Sequence, residues 1–141
     1  MSRRRSRTQR RSFVPPTLQK AIEPLPAHLG TANAAQLWAA GEAAEESFDY
    51  EGARSLYREA VRRASDEVER FSELYAAFLV ERYGQFEEVA AWLDDPDFDP
   101  TASGPAEKAP ALARYVAVAA TETGHPRAGA LDTTLAERFG E

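Results

Sequence analysis

A helix–turn–helix pattern runs from Leu37 to Ala64 and returns in looser form further along the chain. Small and apolar residues recur at three- and four-residue spacing on both sides of a turn at Phe48, Asp49 and Tyr50, which is the period of an amphipathic helix. A repeated helix pair must bury its apolar faces against a neighbouring pair. The pattern therefore predicts an all-α chain built from antiparallel helix pairs.

The first helix of this pair is predicted over residues 34–46, with Asn33 or Thr31 as its N-cap. Asp49 is placed to cap the second helix, because short polar side chains accept hydrogen bonds from the unpaired N–H groups of a first turn. Its apolar stripe is expected to consist of Ala53, Leu56, Tyr57, Ala60 and Val61.

The two helices are predicted to cross closely at Gly41. This residue is small where the backbones must approach each other, and Tyr57 is large where the remaining gap must be filled. Alternation of small and large side chains lets antiparallel helices interdigitate.

A second copy is predicted over residues 69–94. Its first helix ends at Gly84, and the following segment repeats the turn, aromatic and acid of the first copy. Ala53 and the corresponding Val89 lie 36 residues apart. Recurrence of the turn chemistry together with the period indicates a structural repeat.

A third copy is predicted over residues 107–139, after a loop rich in Pro and Asp. It begins with one Ala-rich helix over residues 107–123, turns at Gly124, and continues with Leu131 and Leu135 on one helix face. Pro126 takes the place of the aromatic that follows the turn in the first two copies, so this copy departs furthest from the pattern.

The first unit resembles a tetratricopeptide repeat (TPR). The residues at that family's spacing are Leu37, Ala40, Gly41, Ala44, Tyr50, Ala53, Tyr57 and Ala60. The resemblance, extended over residues 34–141, implies about three repeats, six helices, stacked as a right-handed superhelix with a concave groove for a peptide or another protein. A plain bundle of four to six helices without a groove is the alternative, because helical periodicity alone does not separate the two.

In such a superhelix the first helix of each pair lines the groove. The outward-facing residues are then expected to be Trp38, Glu42, Glu45, Phe71, Leu74, Phe78, Glu81 and Arg114. Aromatic side chains anchor peptides well, and the acids favour a basic ligand. For the three aromatic residues, packing within the core is the alternative interpretation.

The first 20 residues contain six arginines and no acid, although the whole chain has a net charge of −6. These arginines are Arg3, Arg4, Arg5, Arg7, Arg10 and Arg11. The composition predicts a disordered Arg- and Pro-rich arm over residues 1–33 and a helical repeat domain over residues 34–141.

Targeting signals give a weak match. The pair Arg10 and Arg11 resembles a twin-arginine export signal, but prolines interrupt the stretch where an apolar region should follow. The chain has no cysteine and no run of 18 apolar residues. A cytoplasmic location without membrane insertion is expected.

Catalytic and metal-binding patterns are sparse. Cysteine is absent, no glycine-rich phosphate loop occurs, and His28 and His125 lie far apart in the sequence. Asp95, Asp97 and Asp99 alternate as at the start of a calcium loop, but proline follows where glycine is required. No enzyme activity, cofactor or metal is expected.

The predicted function is that of a non-catalytic interaction module, adaptor or scaffold whose groove takes a basic and apolar segment of a protein or peptide. Residues 10–16 of the chain have this chemistry themselves, and they are expected to mask the groove until a partner competes. The alternative is a nucleic-acid- or ribosome-associated adaptor that uses the arginine arm.

Self-association through the last helix is a further expectation, and the alternative is that further repeats have been cut away. Tetratricopeptide stacks are normally closed by a solvating helix, and none follows Leu131, Leu135 and Phe139 in this sequence.

Overall fold

The computed structural model describes residues 27–102 and 105–139 of the chain, and every regular element in those ranges is helical. The helices are α1 (Ala34–Glu46), α2 (Tyr50–Arg62), α3 (Val68–Ala77), α4 (Phe86–Ala91), α5 (Pro105–Lys108), α6 (Leu112–Thr123) and α7 (Ala128–Phe139). Short 3₁₀ turns occupy Ala27–Leu29, Ser65–Glu67 and Trp92–Asp94, and a π-helical turn at Phe78–Tyr83 extends α3. The predicted all-α class is confirmed.

Both helices of the first pair begin at the predicted caps. The Asn33 side chain accepts a hydrogen bond from the Gln36 N–H at 2.8 Å, and the Gln36 side chain accepts one from the Asn33 N–H at 2.9 Å. Asp49 accepts a hydrogen bond from the Gly52 N–H at 3.0 Å. These contacts satisfy N–H groups that a helix start leaves without an intrahelical partner.

The crossing of α1 and α2 is as close as the sequence predicts. A Cβ atom at Gly41 would lie 2.5 Å from the Tyr57 ring, so any larger residue at this position must displace the ring. Tyr57 itself is fully buried. The small and large residues are therefore direct packing partners.

The turns after α1, α3 and α6 share one backbone feature, a left-handed residue at the helix end. Phe48 has a φ of 63°, and Gly84 and Gly124 each have a φ of 71°. Helices often end in this conformation, which glycine adopts without the steric penalty of a Cβ atom. The turn predicted to recur in the sequence thus recurs in the backbone.

The first and last of these turns have the hydrogen bonds of a Schellman motif. The Asp49 N–H donates to the Ala44 carbonyl, and the His125 N–H donates to the Ala120 carbonyl, each over 2.9 Å. Each bond satisfies a carbonyl that the helix end would otherwise leave exposed.

The second turn is wider by one residue, because the Gln85 N–H reaches back six positions to the Leu79 carbonyl at 2.8 Å. The extra residue lies in the π-helical turn Phe78–Tyr83. The sequence pattern places a single helix over this stretch and does not indicate the π-helical turn.

The third copy differs from its prediction. A single helix over residues 107–123 was expected, but the structure has a short α5 and a separate α6, which begins at Leu112. Pro110 lies between them. Proline has no N–H to donate and its ring clashes with the preceding turn, so it interrupts a helix at this position.

The core is continuous from the first pair to the last helix. Helix α1 packs on α2, α2 packs on α3, α3 and α4 both pack on α6, and α6 packs on α7. The largest fully buried side chains of this core include Tyr57, Tyr75, Phe78 and Phe98. Within the described residues no helix is long and apolar enough to cross a membrane.

Residues just before α1 are attached to the helical body. Arg63, at the end of α2, donates from Nη1 to the Ala32 carbonyl at 2.7 Å and to the Leu29 carbonyl at 3.5 Å. The packed part of the chain therefore extends to the 3₁₀ turn Ala27–Leu29. The six arginines of the predicted arm, and the disorder predicted for it, lie outside the described residues.

Two of the three apolar residues predicted on the face of the last helix are buried. Leu131 is 9% exposed and Leu135 is 7% exposed, and α7 packs on α6. The expectation that these two leucines lack a cover is wrong. The side chain of Phe139 lies outside the description, and self-association stays a prediction without this support.

Candidate functional site

An open cleft of about 640 Å³ lies between α1 and α3, at the end where α3 passes into its π-helical turn. Its lining residues are Trp38, Glu42, Glu45, Glu46, Tyr50, Tyr57, Leu74, Ala77 and Arg82. We call this feature the α1/α3 cleft.

The floor of the α1/α3 cleft is aromatic. Trp38 stacks on Tyr57 with ring centroids 3.9 Å apart, and it lies 5.5 Å from the ring of Phe71. Tyr57 is buried, whereas Trp38 is only half-buried. The indole therefore rests on the core and keeps part of its surface available to a ligand, as rigid aromatic anchors at interfaces do.

One wall of the cleft is fixed by Glu45. Its carboxylate accepts a hydrogen bond from the Tyr57 hydroxyl at 2.7 Å and forms an ion pair with Arg82. Burial and the hydrogen bond to Glu45 raise the pKa of Tyr57 above its usual value. For Arg82, burial opposes the charged form, but the hydrogen bond and charge of Glu45 outweigh it and raise the pKa.

The α1/α3 cleft is acidic. Three carboxylates, those of Glu42, Glu45 and Glu46, face one guanidinium, that of Arg82, so the formal charge of the lining is 1 − 3 = −2. Glu45 is paired with Arg82, while Glu42 and Glu46 are exposed on the rim. A cationic ligand is favoured by this arrangement.

Four of the predicted groove residues come together in this cleft, namely Trp38, Glu42, Glu45 and Leu74. They do so because the first three share one face of α1, at four- and three-residue spacing, and that face lies opposite α3. These four residues therefore line one cleft between the first and second copies, and their role in binding stays a prediction.

Two of the predicted groove residues are core residues. Phe71 is 6% exposed and Phe78 is fully buried, so the groove assignment of both is corrected. Phe78 packs edge-on against Tyr57 with centroids 4.9 Å apart, and Arg82 covers its ring at 5.5 Å. Both phenylalanines belong to the apolar stripe of their helix, and that stripe faces the core.

The last two predicted groove residues lie elsewhere. Glu81 is exposed and accepts a hydrogen bond from the Tyr115 hydroxyl at 2.9 Å, and Arg114 is exposed on α6. Neither lines the α1/α3 cleft.

Five lining residues were not predicted from the sequence: Glu46, Tyr50, Tyr57, Ala77 and Arg82. Glu46 could have been found, since it follows Trp38 by eight residues and so shares its helix face. Arg82 gives no such signal, because the π-helical turn changes which residues of α3 face α1.

A second polar cluster centres on Glu88 of α4. Its carboxylate accepts hydrogen bonds from Arg54 Nε at 2.7 Å, from Arg58 Nη1 at 3.2 Å and from the Tyr75 hydroxyl at 2.6 Å. Burial, and then the charge and hydrogen bond of Glu88, raise the pKa of Tyr75. The cluster joins α2, α3 and α4 through charge-assisted hydrogen bonds, which is the arrangement of a structural contact.

A smaller cleft of about 340 Å³ lies beside α7. Arg127 lies at its edge and donates to the carbonyls of Leu93, Asp95 and Phe98 over 2.8–3.2 Å. The arginine therefore holds the loop after α4 in place.

The aspartates of that loop also have local partners. The Asp97 N–H donates to Asp95, and Thr101 donates to Asp99 from both its N–H and its hydroxyl. Across the described residues, no three His, Asp or Glu side chains come together in a way that could hold a metal ion.

Comparison of the chain with protein-family models, with curated proteins and with solved structures finds no match. The tetratricopeptide resemblance accordingly rests on the residue pattern of the first helix pair.

Proposed function

We propose that the chain is a non-catalytic interaction module whose α1/α3 cleft binds a basic and apolar segment of another protein. The observation that carries the proposal is the half-buried Trp38 stacked at 3.9 Å on the buried Tyr57, with Glu42 and Glu46 on the rim above it. Such a site offers a rigid apolar surface and negative charge to the same ligand.

The stacking of helix pairs supports a tetratricopeptide-like superhelix as the framework of this site. Within each pair the first helix ends at a residue of left-handed φ, namely Phe48, Gly84 or Gly124. Consecutive pairs pack through their neighbouring helices, as repeat proteins require. In this proposal the α1/α3 cleft is the first part of the concave surface.

The chain's own residues 10–16 are proposed as an internal competitor for the cleft. They contain Arg10 and Arg11 followed by Phe13, which match the charge and the apolar floor of the site. The 13 residues between Phe13 and Ala27 span up to about 45 Å when extended, whereas α1 is only about 20 Å long. The segment is therefore long enough to reach Trp38.

Direct binding measurements test the cleft. A labelled peptide of residues 8–18 is titrated into the full chain, and into a full chain carrying Arg10→Ala, Arg11→Ala and Phe13→Ala, which we call the silenced-arm chain. We expect the silenced-arm chain to bind more tightly, because its own segment no longer competes. Equal affinity for both chains would contradict the masking.

Charge reversal tests the site itself in the silenced-arm chain. Glu42→Lys should weaken peptide binding about tenfold, equivalent to 1.4 kcal/mol, because a like charge then faces the basic residues. Glu137→Lys makes the same charge change at an exposed position of α7, outside the cleft, and should leave affinity unchanged. Equal weakening by both variants would mean that net charge, not the cleft, attracts the peptide.

The proposed alternative is an adaptor that holds nucleic acid or the ribosome through its arginine arm. Contacts between six arginines and phosphates would make binding fall steeply with salt concentration. Replacement of the six arm arginines by glutamine in the full chain should then abolish RNA binding. Retention of RNA binding by that variant would exclude the arm as the contact.

A further inference from the structure

Phe48 occupies a position that costs the fold stability. Its φ of 63° is left-handed, and the equivalent positions after α3 and α6 are the glycines Gly84 and Gly124. This conformation raises the free energy of a residue that has a Cβ atom by about 1 kcal/mol or more.

Burial of the Phe48 side chain within the fold does not offset this strain. The side chain is 79% exposed, and among the described residues only Phe48 and Val118 are large apolar side chains on the surface. Burial of a phenylalanine stabilises a protein by about 1.5–3 kcal/mol, and an exposed ring makes little of this contribution in the folded chain. A partner that covers the Phe48 ring would gain this stabilisation on binding.

The backbone of Phe48 lies close to the α1/α3 cleft. Phe48 follows Glu46 by two residues and precedes Tyr50 by two, and both of these neighbours line the α1/α3 cleft. Its Cα atom therefore lies within about 7.6 Å of each of theirs. Along the backbone, Phe48 therefore adjoins the end of the cleft that is furthest along α1 from Trp38.

The cleft residues of α1 and Phe48 follow one another in order along α1 and the turn after it. Trp38, Glu42 and Glu46 follow one another at four-residue spacing on one face, and Phe48 comes just beyond them. From Trp38 to Phe48 the backbone carries an aromatic residue, two glutamates and a second aromatic residue over about 15 Å. An extended segment covers that distance with about five residues.

We propose that Phe48 is a second aromatic anchor of the α1/α3 cleft, and that the bound segment of the partner carries basic residues between two apolar ones, within about five positions. The inference rests on the proposed function and adds the spacing of the ligand to it. The basic residues lie opposite Glu42 and Glu46, and the apolar residues cover Trp38 and Phe48.

Two synthetic pentapeptides test this spacing in the silenced-arm chain. One is Phe-Arg-Ser-Arg-Phe, with an apolar residue at each end, and the other is Ser-Arg-Ser-Arg-Phe, with one. Phe48→Gly is expected to weaken binding of the first peptide at least fivefold and of the second less than twofold. This difference between the two peptides is the coupling between Phe48 and the second apolar residue.

The variant also reports on its own folding. Phe48→Gly removes the left-handed strain, so its melting temperature should equal or exceed that of the parent chain. Val118→Ala removes the other exposed apolar side chain, at a position outside the cleft, and should not affect either affinity.

The outcomes separate the two proposals. If both peptides bind and Glu42→Lys weakens them, but Phe48→Gly changes neither affinity, the second anchor is overturned and the cleft stands. If neither peptide binds the silenced-arm chain, the proposed function fails, and the second anchor fails with it.

Discussion

The hydroxyl of Tyr57 donates a hydrogen bond to Glu45 across the crossing of α1 and α2, over 2.7 Å. One ring therefore packs against Gly41, supports Trp38 and orients a carboxylate of the cleft. The same kind of contact recurs at four of the chain's five tyrosines, in the pairs Tyr57–Glu45, Tyr75–Glu88, Tyr83–Glu51 and Tyr115–Glu81. Each pair ties a tyrosine to a carboxylate on another helical segment, so these pairs connect the stacked helices.

The first prediction concerns the hydroxyl of Tyr57. Tyr57→Phe keeps the ring packing and should lower the free energy of unfolding by about 1.5 kcal/mol at pH 7, because a hydrogen bond to a charged acceptor is lost. Urea unfolding of both chains at neutral pH measures the difference. In this variant Glu45 is held by its ion pair with Arg82.

The same substitution has a predicted alkaline signature. The pKa of Tyr57 is raised by burial and by Glu45, so its contribution to stability is complete below the unfolded pKa of about 10 and declines as pH rises above it. Tyr57→Phe lacks this titration. The stability difference between the two chains should therefore shrink between pH 9 and pH 11, and a constant difference would show that the hydrogen bond does not stabilise the neutral phenol.

A second prediction concerns the helix crossing. Gly41→Ala places a methyl group 2.5 Å from the Tyr57 ring, which must shift within a packed core. We expect a loss of about 1–3 kcal/mol, the usual cost of overpacking. Gly129→Ala is the matched control, because a Cβ at that exposed position of α7 meets no described heavy atom within 4 Å. The control should be neutral or more stable by up to about 1 kcal/mol, since alanine favours helix.

The recurrent turn gives a third prediction. Gly124→Ala should cost about 1 kcal/mol, although a Cβ would find open space there, because a φ of 71° strains any residue with a side chain. Thermal unfolding of this variant and of Phe48→Gly should shift in opposite directions. Shifts of the same sign would mean that packing rather than backbone strain decides these positions.

A fourth prediction tests the cluster that joins the first two helix pairs. Glu88→Gln leaves Arg54 and Arg58 with a neutral partner in a setting where the glutamate side chain is only 14% exposed. We expect a loss of about 3 kcal/mol, as when one partner of a largely buried ion pair is removed. Glu87→Gln changes a neighbouring exposed carboxylate and should be neutral. Equal stability of all three chains would show that the cluster contributes nothing to the contact.

Local features of the fold were predictable from the sequence where one residue has a local physical role. Asn33 and Asp49 cap helices within three residues of themselves, and Gly124 ends one through its own φ. Periodicity alone was a weaker guide, because Pro110 interrupts a stretch whose apolar pattern is otherwise continuous. The handedness of the stack depends on contacts between pairs, which no local pattern encodes.

The cleft was predictable on α1 and much less so on α3. Trp38, Glu42 and Glu45 share one face of a regular helix, so their spacing identifies them as neighbours. Phe78 lies where α3 passes into its π-helical turn and points into the core, while Arg82 reaches the cleft through the same turn. Where the helix departs from the α-helical period, that period no longer predicts which side chains face the cleft.

The last prediction concerns acid stability and Glu59, which is 7% exposed. Its pKa is lowered by hydrogen bonds from Arg62 and Arg63, against the opposing effect of burial. Its contribution to stability is then present above the unfolded pKa of about 4.3 and is lost as pH falls through the lower folded value.

Glu59→Gln should therefore cost about 2 kcal/mol at pH 7 and progressively less below pH 4, as measured by urea unfolding across that range. Glu67→Gln is the matched control, because Glu67 pairs with Arg70 at 3.4 Å while both side chains are more than half exposed. Exposed pairs contribute about 0.5 kcal/mol or less, so the control should follow the wild-type acid profile. If the two variants lost the same stability at pH 7, burial of Glu59 would not be the source of its effect.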